Sequence, residues 1–84
     1  MLTTLLQLKK GEKAIVTGFE GGGMLRARLE SMGIREGKTV YRVSSQLMGG
    51  PVIISVDRRQ TAMGRGMAAR IKVETVGHQK TDMQ

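Results

Sequence analysis

The apolar positions of this chain change period several times, and each change marks a predicted element. In residues 3–8, Leu5 and Leu8 read as anchors of a capped single turn or a short edge segment. After the turn Lys9-Lys-Gly-Glu12, residues 13–19 are rich in β-branched side chains and predict a strand. Ile15, Thr17 and Phe19 share one face of it, and Ala14, Val16 and Gly18 the other. Gly21-Gly-Gly23 ends that alternation, and Gly23 is an acceptable helix N-cap. Leu25, Leu29 and Met32 then recur at i, i+4 and i+7, which is one stripe of a helix. Gly33 follows where a finished helix needs a residue tolerating positive φ, and Gly37 supplies a second turn. With Gly33 at C′, Leu29 and Ile34 become the contact pair of a Schellman motif.

Period two returns in residues 39–43, a second strand. Residues 46–51 form a turn containing Gly49 and the only proline, Pro51. Residues 52–57 alternate most clearly, with Val52, Ile54 and Val56 inward. Arg58 and Arg59 lead into a short strand over 60–62. Gly64-Arg-Gly66 turns the chain into a single helical or 3-10 turn at 67–69. Ile71 and Val73 alternate with Arg70, Lys72 and Glu74 in a last strand. Residues 77–84 are polar and aperiodic and predict a disordered tail. A helix of about two turns does not persist alone in water, so the one over 25–32 must dock on the strands. The elements together predict a mainly β protein. It is a small SH3-like β-barrel of about five strands over residues 1–76, with one short inserted helix and one or two brief helical turns.

Composition narrows the functional classes. Eighty-four residues make one domain in which every apolar position counts. Phe19 and Tyr41 are the only aromatics, and seven Met join Ile, Val and Leu in filling the core. The absence of Cys excludes disulfides, thiolate metal sites and cysteine nucleophiles, and is compatible with the cytosol. No apolar run approaches the ~18 residues of a membrane span, and no secretory signal pattern opens the chain. The formal charge of +7 admits nucleic acid, an anionic membrane surface or an acidic protein as partner.

Four segments together resemble the FeoA family, ferrous iron transport protein A. They are Thr4-Leu-Leu-Gln-Leu-Lys-Lys-Gly-Glu12, Arg28-Leu-Glu-Ser-Met-Gly-Ile-Arg-Glu-Gly37, Gly49-Gly-Pro51 and Ala68-Ala-Arg-Ile-Lys-Val73, in the family's order and spacing. The resemblance runs from about residue 4 to 76, and its most specific part lies between Arg28 and Gly37. It implies a small cytosolic SH3-like protein acting with FeoB, a membrane ferrous iron transporter with a cytosolic GTP-binding domain. Two departures stand out. The family's Pro-Leu-Gly-Asp-Pro turn is Leu47-Met-Gly-Gly-Pro51 here, without the Asp that can bond within the turn. Met63-Gly64 and Met67 replace a family Leu-Arg pair and a Glu.

The resemblance makes Arg28 a partner contact beside the apolar stripe, and Leu25 and Met32, at the stripe's margins, its companions. Leu29 reads as core, while Leu25 and Met32 flank the buried line, because a domain this small cannot cover both sides of a helix. Arg26 pairs with Glu30 at i, i+4. Gly33, Gly37, Gly49 and Pro51 read as structural turns. The run Gly21–Gly23 lacks the Gly-Lys-Ser/Thr ending of a phosphate-binding loop. His78 is the only imidazole, and the acids are dispersed, so neither a metal site nor a cofactor is expected. No paired carboxylates or nucleophile–base set points to an enzyme. The expected role is therefore a non-enzymatic accessory protein, monomeric or a weak homodimer, cytoplasmic, meeting the inner membrane through its partner.

Two other readings use the same residues. Gly11-Glu-Lys-Ala-Ile-Val-Thr-Gly18 loosely matches the KOW motif of ribosome-associated SH3-like domains, and Arg58, Arg59, Arg65, Arg70 and Lys72 make the second half basic. Sequence-tolerant single-strand binding usually needs aromatic stacking platforms, however, and two aromatics supply few. Nucleic acid is therefore not the expected partner. A detached SH3-like domain of a metal-dependent repressor is the other reading, but no helix-turn-helix segment accompanies it.

Overall fold

In the computed structural model the backbone is described for residues 1–43 and 50–78, and side chains up to residue 76. The period-two segments form strands β1 (Leu2–Thr4), β2 (Glu12–Phe19), β3 (Thr39–Arg42), β4 (Val52–Val56), β5 (Arg59–Met63) and β6 (Ile71–His78). They pair antiparallel in one sheet of order β1-β6-β2-β3-β4-β5. A 3-10 turn occupies Leu5–Gln7, and two helices, α1 (Gly23–Ser31) and α2 (Arg65–Ala68), interrupt the strands.

Alternation decides which side chains meet. Ala14 and Val16 of β2, Val40 of β3, Val52, Ile54 and Val56 of β4, Met63 of β5, and Ile71 and Val73 of β6 are all buried. They join one cluster with Leu5, Leu8, Leu29, Ile34 and Ala68. One cluster fed by strands from β6 across to β5 requires the sheet to curl around it, which is the SH3-like arrangement. Each fully buried Leu, Ile or Val contributes about 1.5–3 kcal/mol relative to exposure.

Several boundaries differ from those the sequence predicts. The edge segment and the single turn near the N-terminus both exist, in succession, so the strands number six rather than about five. β6 continues to His78 instead of ending at 76, because Glu12 and Lys13 of β2 pair with His78 and Gly77. Backbone pairing needs no side-chain pattern, so a polar segment can extend a strand. Residues 79–84 and Gly49 lie outside the described residues.

The tight link between β4 and β5 also departs from expectation. Asp57 and Arg58 both have positive φ, 52° and 69°, and Val56 pairs directly with Arg59 across them. That is the two-residue hairpin geometry usually marked by Asn-Gly or Asp-Gly. α2 begins at Arg65, two residues before the expected turn, with extended Gly64 as N-cap and an Ala68 N–H to Gly64 O bond of 3.1 Å. Gly66 has low intrinsic helicity, but burial of Ala68 holds the single turn in place.

Candidate functional site

The Gly-rich segment before α1 offers no side-chain cap, so the helix start is set by backbone alone. Gly22, in extended conformation, is the N-cap instead of Gly23, and its carbonyl accepts from Leu25 and Arg26 at 3.1 and 3.3 Å. At the other end Gly33 has φ +84°. Its N–H donates to Glu30 O at 3.0 Å, and the Ile34 N–H donates to Leu29 O at 2.9 Å. These are the paired bonds of a Schellman cap. Leu29 and Ile34 are both fully buried. Gly37, at φ +91°, sits in the next turn, which a Lys38 N–H to Arg35 O bond of 3.1 Å closes, and its own N–H donates to Val16 O of β2 at 2.8 Å. Pro51 is exposed at the entrance to β4.

Only Leu29 of α1 is fully buried. Leu25 and Met32 are half-buried against the core, Arg28 is exposed, and Met24 is 88% exposed. Arg26 is held away from this stripe. Its guanidinium lies 3.2 Å from Glu36 and 4.0 Å from Glu30, and 5.1 Å above the Phe19 ring. Such exposed ion pairs are worth about 0–1 kcal/mol each.

Between α1 and α2 runs a groove of about 670 Å³ lined by Met24, Leu25, Arg28, Gly66, Met67 and Arg70. Two residues of α2 leave room there, one by carrying no side chain and one by pointing into the core. Ala68 is consumed by the core, and a Cβ built at Gly66 meets nothing within 4 Å. A 2.7 Å bond from the Glu20 N–H to Arg70 O ties the approach to α1 to the exit from α2, so both walls are fixed relative to each other. Among the described residues no carboxylate lies within ion-pair distance of Arg28 or Arg70.

The structure thus brings Leu25 and Arg28 together in the groove, while Met32 sits at the helix C-cap and does not line it. The wall made by Met67 and Arg70, and the exposed Met24, were not foreseen from sequence. The available signal was their spacing, since Met24/Arg28 and Met67/Arg70 each pair an apolar residue with an arginine one helical turn on.

Arg42 is a further residue that sequence reading passed over. Alternation in β3 puts it on the same face as Val40, and it is only 6% exposed. Its guanidinium donates to the carbonyls of Leu5, Leu6 and Leu8 at 3.4, 3.3 and 2.8 Å. It thereby binds the N-terminal turn to the sheet. Burial, and secondarily the nearby Arg65 guanidinium, hold its pKa below the usual arginine value. Among the described residues no group of three or more His, Asp or Glu is placed to hold a metal ion. No helix among them is long and apolar enough to cross a membrane.

Comparison with known proteins matches residues 3–75 to the FeoA domain model. A Methanocaldococcus jannaschii protein bearing the name Fe(2+) transport protein A is 42% identical over 66 residues, 79% of this chain and 78% of its own. A Porphyromonas gingivalis fusion of Fe(2+) transport protein A with Fe(2+) transporter FeoB is 31% identical over 77 residues. That match spans 92% of this chain but 9% of the fusion. The crystal structure of an iron uptake regulatory protein, FeoA, superposes with TM-score 0.83 at 37% identity, covering 90% of this chain and 99% of that one. A manganese-dependent transcriptional repressor shares the fold alone, at TM-score 0.80 and 16% identity, over 89% of this chain and 42% of the repressor.

Proposed function

The chain belongs to the FeoA family, and from that premise we propose that it is a non-enzymatic accessory protein of ferrous iron uptake, acting in the cytoplasm by direct contact with the cytosolic part of a FeoB-type transporter. The observation that carries this reading is the P. gingivalis relative, in which a matching segment and a FeoB transporter are one polypeptide. Covalent linkage raises the effective concentration of one module at the other, which is useful when the two must meet. A domain of this size, with no clustered ligand set among its described residues, is suited to regulation by contact rather than to carrying the ion.

The contact surface is the exposed side of α1, with Leu25, Arg28 and Met32. Leu25 and Arg28 meet the partner from the groove, and Met32 extends the surface from the C-cap of the helix. Nucleic acid is not the partner in this reading, and the protein works as a monomer or weak homodimer.

The test is co-purification from nuclease-treated lysate of cells that also express the transporter, washed at moderate salt. Recovery of the transporter with wild-type protein is the expected result. Recovery of ribosomal RNA and proteins in its place would overturn the reading in favour of a KOW-like role. In that case binding should fall steeply and linearly with salt on a log–log plot.

A further inference from the structure

The chemistry of the groove narrows what can enter it. Its apolar lining consists of Met24, Leu25 and Met67, and its rim carries Arg28 and Arg70. Methionine is unbranched and polarizable and adapts to differently shaped apolar side chains. Two arginines without ion-pair partners among the described residues, on opposite walls of an apolar depression, favour carboxylates around an apolar centre. We propose that the groove between α1 and α2 takes an acidic amphipathic segment of the partner protein, seating an apolar side chain on Met24, Leu25 and Met67 while flanking carboxylates meet Arg28 and Arg70.

The shape favours a peptide over a lipid surface. A membrane presents a broad plane, whereas a concave space of about 670 Å³ between two fixed helical walls is filled only by side chains that enter it. The composition also separates it from a nucleic-acid site, because no aromatic ring lines the groove to stack a base. Gly66 supplies an independent handle. A Cβ built there meets nothing within 4 Å, so a large side chain can be added at this lining position without displacing core atoms. The inference rests on the reading that this protein acts by contact with a partner protein.

The test uses the full chain and two short synthetic peptides, one of leucine and glutamate and its counterpart with lysine for every glutamate. Fluorescence anisotropy should show the glutamate peptide binding at least about tenfold more tightly, an amount within reach of two charge-assisted contacts. Gly66→Phe should abolish that binding with an unchanged melting temperature. The double variant Arg28→Glu, Arg70→Glu should reverse the preference toward the lysine peptide. Equal binding of both peptides, no binding of either, or an unreversed preference in the double variant would overturn the inference. So would phosphatidylglycerol vesicles or a polyuridine oligonucleotide binding more tightly than the peptide and losing that binding in the double variant.

Transporter co-purification separates the two levels. If wild-type protein retrieves the transporter and the Gly66→Phe and double-arginine variants retrieve it equally well, the groove is not the docking site, although the accessory role stands. If wild-type protein retrieves no transporter, the accessory role fails whatever the peptides do.

Discussion

β4 takes its apolar residues from Val and Ile and α1 from Met and Leu, and the fold treats the two sets in opposite ways. Every inward position of β4 is closed off, with Val52 and Ile54 at 0% and Val56 at 4% exposure. α1 closes off Leu29 alone and leaves Met24 at 88%. A strand has two faces, and the core lies along the whole length of one of them. A helix nine residues long meets the core along one line, and apolar residues to either side of it remain at the surface. The arginines differ in the same sense. Arg58 and Arg59 stand exposed at a hairpin, whereas Arg28 and Arg70 border an apolar depression. Charge by itself serves solubility; charge around a concave apolar surface is what the proposed partner contact uses.

The largest effect tests whether Leu29 is the only core residue of α1. Leu29→Ala should destabilise by about 2–5 kcal/mol, as Ile54→Ala in β4 should, because each leaves a cavity in close-packed surroundings. Leu25→Ala removes the same atoms from a half-buried site and should cost less than about 1.5 kcal/mol. Denaturant midpoints at constant slope give all three values. Equal costs at Leu25 and Leu29 would make the groove wall part of the core and erase the contrast with β4.

Next in size is the cap that aims α1. Gly33 has φ +84°, and a Cβ added there would touch nothing within 4 Å. Any penalty for a side chain therefore comes from the backbone conformation and not from crowding. Gly33→Val should cost about 1–3 kcal/mol, and Gly33→Ala a smaller share of it. An unchanged melting temperature for the valine variant would show that the helix can end elsewhere without loss.

How far the sequence could be read follows from the same physics. The β4 alternation, the i, i+4, i+7 stripe and a glycine directly after it are local signals, and each states its own geometry. The β4–β5 hairpin was not legible, since Arg58 occupies a position where glycine is the ordinary marker. The inward Arg42 was not legible either. Its burial depends on three carbonyls contributed by residues 5–8, more than thirty positions away. The groove was half legible: Leu25 and Arg28 stood out in α1, but the opposing Met67 and Arg70 fell in two different predicted elements, a single helical turn and the last strand. A site made by two elements leaves no continuous pattern in either.

The hairpin yields a gain of stability where α1 yields losses. Arg58 holds φ 69° without being glycine, a conformation that costs an L-residue roughly 1–2 kcal/mol. Arg58→Gly relieves that strain but adds freedom to the unfolded chain, so the net stabilisation should be about 1 kcal/mol. A raised denaturant midpoint with retained transporter binding is the expected outcome. Loss of transporter binding in this variant would move the interaction to the hairpin and away from α1.

The smallest stability effect carries the sharpest functional contrast. Arg28 lies in the last turn of α1, where a cation complements the negative end of the helix dipole. Arg28→Glu exchanges that attraction for repulsion and should cost roughly 0.3–1 kcal/mol at low ionic strength, less as salt screens it. Arg59→Glu makes the same change of charge on exposed β5, where no helix end is present, and should alter stability by less than about 0.5 kcal/mol. Thermal melts in low and high salt separate the two, because only the Arg28 cost should shrink. Both variants lower the net charge equally, so a transporter attracted by overall charge would lose affinity for both alike. A transporter that docks in the groove should discriminate sharply, retaining Arg59→Glu and losing Arg28→Glu, since only the latter would set a carboxylate against the carboxylates proposed to enter the groove.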